Sequence, residues 1–177
     1  AHTVNMSADA SIDASALVQG DGGSVVLWSD VNRTDGLTTA AGRIRARGGA
    51  QGGDGGRIET SGHRVDTERV AVDAGAAPGQ GGTGGLWLID PTDSVITQAV
   101  ADGYAATLNT GTSVLNEVIG SITWTSNVTL TTTAGGAGGR ATLTLRSGNG
   151  SGSSPITLNN ASISATGGAL NLVLWSS

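Results

Sequence analysis

The chain has 177 residues, a formal net charge of −5, no cysteine and only 3% aromatic residues. Absent cysteine excludes a disulfide framework and thiolate metal sites, and the acidic balance argues against nucleic acid, whose phosphates demand a concentrated positive surface. With 30 glycines and no phenylalanine, a core of large rings is excluded; Ala, Val, Leu and Ile suit a narrow aliphatic core.

Apolar residues alternate with period two, not 3.6. In chain order this predicts strands at Val4–Met6, Ser11–Ala14, Val25–Trp28, Arg43–Ala46, Arg57–Thr60, Val70–Asp73 and Leu86–Ile89. A second series follows at Ser121–Thr123, Val128–Thr132, Thr142–Leu145, Ile156–Leu158, Ser162–Ala165 and Leu170–Leu174. The intervening GDGG, GGAQGGDGG, GQGGTGG, GGAGG and SGNGSGSS segments favour tight turns and break helices. Only Asp93 to Glu117 departs, where SVITQAVADGYAATLN predicts one or two helical turns interrupted by Gly103. The organisation expected is a first block over 1–92, a less regular connecting segment over 93–120, and a second block over 121–177 that stops inside a repeat.

Three stretches share one plan: Ser11 to Asp30, Gly42 to Gly62 and Arg69 to Asp90 each place a glycine-rich turn between two apolar strands. Such self-similarity marks a stacked architecture. The fold expected is all-β, a parallel β-helix (β-solenoid) with short strands, Gly-rich turns and Val, Ile and Leu ladders inside, each coil about 4.8 Å from the next. NLVLWSS (Asn171 to Ser177) echoes SVVLWSD (Ser24 to Asp30), and SISATGG (Ser162 to Gly168) echoes SIDAS (Ser11 to Ser15). No polar cap is visible, so either the chain is cut from a longer array or another copy caps the open end. With Ala1 in first place and no signal peptide in the sequence, a mature fragment or excised piece is expected. No segment has the apolar length of a membrane span, so no membrane insertion is expected.

VVLWSD (Val25–Asp30), GGAQGGDGGRIETSG (Gly48–Gly62) and GTGGLWLIDPTD (Gly82–Asp93) together resemble the large exoproteins of the filamentous-haemagglutinin type, surface adhesins exported by two-partner secretion in Gram-negative bacteria. ATLNTGTSV (Ala106 to Val114) and ISATGGALNLVL (Ile163 to Leu174) share the style, so the resemblance spans essentially the whole chain. It implies a right-handed parallel β-helix and an extracellular or cell-surface location. It also implies a role in adhesion or a biofilm matrix. The matching region looks like shaft rather than the amino-terminal secretion domain. The outer-membrane transporter is then a partner of the full-length precursor, and the host-cell or glycan receptor is left unnamed.

Candidate chemistry is sparse. Asp9 and Asp13, four apart, would share a face of one strand, and Asp66 and Asp73 could flank a coil, as paired carboxylates do in glycan-cleaving sites. Neither pair has an aromatic cluster beside it, and His2 and His63 are isolated. No catalytic residue is assigned, and no cofactor is expected. Asp21 and Asp54 sit in related GDGG turns but do not make up a complete calcium repeat, because the third turn carries Gln80 and Thr83. Asp beside Gly is turn chemistry, and no metal is assigned. Asn5, Asn32, Asn127, Asn149 and Asn160 begin Asn-x-Ser/Thr triplets and are candidate glycosylation sites. Trp28, Trp87 and Trp175 close similar apolar runs; packed inward they fill the core, turned outward they offer stacking surfaces for a sugar ring or a neighbouring fibre. The function expected is a non-enzymatic structural rod segment of an adhesin. The alternative is a subunit that self-assembles end to end into an extracellular filament, and a carbohydrate-active β-helix enzyme is the least favoured reading.

Overall fold

The computed structural model describes residues 2–133, 141–148 and 154–177. The chain winds through a β-solenoid of about five turns. The first coil contains β1 (Thr3–Met6), β2 (Ser11–Asp13) and β3 (Ser24–Trp28); next come β4 (Leu37–Arg45), β5 (Arg57–Ser61), β6 (Arg64–Asp73) and β7 (Leu86–Asp90). Then follow β8 (Ser94–Ile96), helix α1 (Gln98–Asn109) and β9 (Ser113–Val118). The remaining strands are β10 (Ile122–Trp124), β11 (Thr129–Thr132), β12 (Thr142–Ser147), β13 (Ile156–Leu158), β14 (Ser162–Ala165) and β15 (Asn171–Ser176).

Every pairing between these strands is parallel. The main sheet runs β3-β5-β7-β9-β12-β15 without a break. It crosses the 93–120 segment, whose β9 stands at its middle. That segment, expected as a connector, therefore supplies a coil of the same solenoid. A second wall holds β1 and β2 against β4, then β6; a third short sheet runs β8-β10-β13, and β11 pairs with β14. Coil length varies: Leu37 stands opposite Arg64, 27 residues on, while Thr3 stands opposite Leu37, 34 residues on.

The double glycines set the narrow edge of each coil. Gly23, Gly56 and Gly85 donate their N–H to the carbonyls of Ala14, Ala46 and Ala74, at 2.8, 2.7 and 2.7 Å. Two opposite walls thus touch backbone to backbone, with the buried Ala46 and Ala74 at the contact. A Cβ on Gly85 would lie 2.0 Å from the carbonyl oxygen of Gly56 in the coil before, so the edge closes only without side chains.

Away from that edge the core widens. In the main sheet the inward register Val25, Ile58, Trp87, Val114, Leu143 forms one apolar column; on the facing wall Ile12, Ile44 and Val72 form another. Trp87 meets Tyr104 edge to face at 5.7 Å, a favoured ring geometry. Tyr104 lies on α1, which is longer than the one or two turns expected and is not interrupted at Gly103. The helix packs between β6 and β11, where the neighbouring coils place strands. Thr97 caps its N-terminus by accepting from the Val100 N–H at 3.3 Å, the usual N-cap arrangement.

Candidate interaction surface

The outward face of the main sheet carries the residues that the core does not use. Its register aligns Trp28 with Ser61, Ser61 with Asp90, Glu117 with Arg146, and Arg146 with Trp175. Asp90 and Glu117 are neighbours in the same column, the residues just before them, Ile89 and Asn116, being paired. Like charges side by side in a ladder are unfavourable. Glu117 is compensated by Arg146 at 3.1 Å; Asp90 has no ion pair among the described residues. Burial, then Glu117 and Glu59, push the Asp90 carboxyl above its ordinary value. Both acids line a groove of about 230 Å³ with Pro91, Thr92 and Ile119.

The tryptophans divide by parity from the double glycine. Trp28, five residues after Gly23, points outward and is 59% exposed; Trp87, two residues after Gly85, points inward and is 0% exposed. Trp87 therefore offers no surface for stacking, and its Nε1 donates to Thr60 Oγ1 at 3.2 Å. Trp175 is 41% exposed and carries the Arg146 guanidinium 4.6 Å from its ring centroid, within cation–π range. The spacing from the glycine pair is present in the sequence and separates the two orientations. Trp124, which the sequence does not single out, is fully buried.

The turn aspartates are staples between coils. Asp21 Oδ1 accepts the Asp54 N–H at 2.8 Å, and Asp54 Oδ1 accepts the Thr83 N–H at 2.7 Å. The third turn carries Gln80 and Thr83 instead, and Thr83 receives the staple from Asp54. Asp93 repeats the device on the N–H of Ser121 at 2.7 Å. Among the described residues no group of three or more His, Asp or Glu side chains is placed to hold a metal.

The candidate carboxylate pairs come apart. Asp9 lies in the turn between β1 and β2 rather than on a strand with Asp13. Asp13 accepts from Ser15, which holds its carboxyl below the ordinary range with help from Arg45 and Arg47. Asp66 and Asp73 stand at separate positions along β6, each bonding a backbone N–H two residues on, and Asp73 also pairs with Arg47 at 3.5 Å. His2 lies 3.9 Å from Asp35, and His63 Nδ1 is 3.0 Å from Thr92 Oγ1.

Of the Asn-x-Ser/Thr asparagines, Asn5 is exposed on β1, and Asn32 is exposed in a turn held by its own N–H on Asp30 Oδ1 at 3.0 Å. Asn127 and Asn160 both adopt the left-handed conformation, with φ of 66° and 52°. They stack in successive coils, Asn160 Nδ2 donating to Asn127 Oδ1 at 2.6 Å. Their amides thus form a polar ladder on the turn, a local role that Asn tolerates better than other side chains. Asn149 lies outside the described residues. No family model, no curated protein and no solved structure matches the chain.

Proposed function

We propose that this chain is a structural β-solenoid segment of a secreted or surface-exposed bacterial adhesin of the filamentous-haemagglutinin type, and that it acts as a stiff rod. The observation that supports this reading most is the unbroken six-strand parallel ladder of the main sheet. A rod needs each coil fastened to the next along its whole length, and here the polar turn residues are spent on that fastening. The motif resemblance over Val25–Asp30, Gly48–Gly62 and Gly82–Asp93 supplies the family. Under this reading the receptor-binding site belongs to the adhesin as a whole, the transporter acts on the precursor, and Asn5 and Asn32, exposed and outside the Asn127–Asn160 amide pair, are the asparagines favoured for sugar attachment.

The test is antibody labelling of intact Gram-negative cells that express the full precursor. Labelling of unpermeabilised cells, or of material shed from them, is expected. Labelling that appears only after the outer membrane is opened would overturn the reading.

A further inference from the structure

The chain contains one Asp–Pro bond, Asp90–Pro91; its other prolines follow Ala77 and Ser154. The structure fixes the backbone on both sides of this bond. The Asp90 carbonyl oxygen accepts the Gly62 N–H at 3.2 Å, and the Thr92 N–H donates to the His63 carbonyl at 3.1 Å. Pro91 is buried, and both residues of the bond line the groove that Glu117 and Ile119 also line. The Asp90 side chain differs from the other aspartates. Apart from it and the exposed Asp9, every aspartate has its carboxylate in a hydrogen bond. No described residue hydrogen-bonds or ion-pairs with the Asp90 carboxyl, so nothing holds it away from its own main chain.

The charges facing Asp90 come from the strands on either side. Glu59 on β5 is paired with Arg57 at 3.3 Å, and Glu117 on β9 is paired with Arg146 on β12 at 3.1 Å. The His63 ring is engaged by Thr92 Oγ1 at 3.0 Å. Burial first, then Glu117 and Glu59, keep the proton on Asp90 to a higher pH than in an unfolded chain. We propose that Asp90–Pro91 is a self-cleavage site, at which the Asp90 carboxyl attacks its own main-chain carbonyl carbon and expels the Pro91 nitrogen. A C–O bond forms in a five-membered ring, the C–N bond breaks, and the carboxyl proton passes to the Pro91 nitrogen, which leaves as a secondary amine. The cyclic anhydride left at position 90 takes up one water from solvent and opens to two carboxyl groups. Attack within one residue supplies the proximity, and the Gly62 N–H donates to the oxygen on which negative charge develops. The two product chains stay together through the pairing of β7 with β9 and the packing of α1 on β6. Cleavage thus divides the covalent chain without dividing the solenoid, and it does not depend on the rod reading.

The test incubates the whole purified chain, with a broad mixture of protease inhibitors, over a series from about pH 4 to about pH 7. Mass spectrometry under denaturing conditions measures intact chain and fragments, and circular dichroism reports the fold. Fragments 1–90 and 91–177, the second with a proline amino terminus, are expected to accumulate on the acidic side. At equal pH the folded chain should cleave roughly tenfold faster, or more, than the chain in guanidinium chloride, because only the fold places the Gly62 donor. Asp90→Glu keeps a carboxyl but enlarges the ring to six members, and the chain should stay intact. Glu117→Gln removes a neighbouring negative charge and leaves Arg146, so the upper pH limit of cleavage should move lower. A wild-type chain that stays β-folded and intact throughout the series, or that cleaves no faster folded than unfolded, overturns the proposal. So does cleavage that persists in Asp90→Glu. None of these results bears on the rod reading, which the cell-labelling experiment tests separately.

Discussion

A Cβ placed on Gly56 would lie 2.0 Å from the carbonyl oxygen of Gly23, whereas one on Gly103 would meet nothing within 4 Å. The first contact is between two backbones and has no side chain that can move aside. Gly56→Ala should therefore cost roughly 1–3 kcal/mol or more, as overpacking does, read from urea unfolding. Gly103→Ala on α1 should stabilise by about 1 kcal/mol, the helix propensity difference. Asp90 supplies a prediction with a pH sign. Its folded pKa is raised above the ordinary 3.8 by burial and by Glu117 and Glu59, so the folded state holds the proton more tightly than the unfolded one. The charged form is a penalty, fully present above the folded pKa and relieved as pH falls towards 3.8. Asp90→Asn should be more stable than wild type at neutral pH, and the difference should vanish below that window. A thermal melt series from about pH 7 to about pH 3 that shows a constant difference would contradict the assignment.

Helix α1 occupies the place of a strand, and two amide side chains repair the consequence. Gln98 Nε2 donates to the Thr129 carbonyl at 2.8 Å while its Oε1 accepts the Thr129 N–H at 3.0 Å, so one amide reproduces a peptide pairing on the free edge of β11. At the other end of the helix Asn109 Oδ1 accepts the Thr133 N–H at 2.7 Å and the Thr132 hydroxyl at 2.7 Å. Buried beneath the helix, Asn116 donates to Ser94 at 2.7 Å and to Tyr104 at 2.9 Å, which ties β9, β8 and α1 together. Gln98→Ala should cost about 1 kcal/mol, the net worth of such bonds near water. Amide exchange should accelerate at Thr129 and leave the main sheet unchanged; uniform acceleration would mean that the helix is not a local clamp.

Across the whole molecule, stability should follow position in the stack. Each coil contacts mainly its neighbours, so inner coils are supported on two sides and outer coils on one. Native-state hydrogen exchange should find the slowest amides in β5, β7 and β9 and the fastest main-sheet amides in β15, with a gradient between. Exchange at one common rate through all six strands would indicate a single cooperative unit and no gradient.

Every strand segment expected from alternation overlaps an observed strand, because alternation and glycine turns are written within a few neighbouring residues. The first halves of β4 and β6 and all of β8 and β9 are not marked by that alternation. In β6 a bulge interrupts the pattern, and β9 puts Asn116 inside and Glu117 outside, a sequence whose polarity hides its face. The likeness of Trp28 to Trp87 is also misleading, although counting from the glycine pair separates them. What the sequence alone determined is the fold class and the repeat, both consequences of short-range periodicity. Only the tertiary structure decided that Asp90 lies beside Glu117, that Gln98 completes the edge of β11, and that β3 and β15 share a register. Those neighbours lie roughly one coil or several coils apart, and coil length varies from 27 to 34 residues, so no fixed spacing in the sequence can align them.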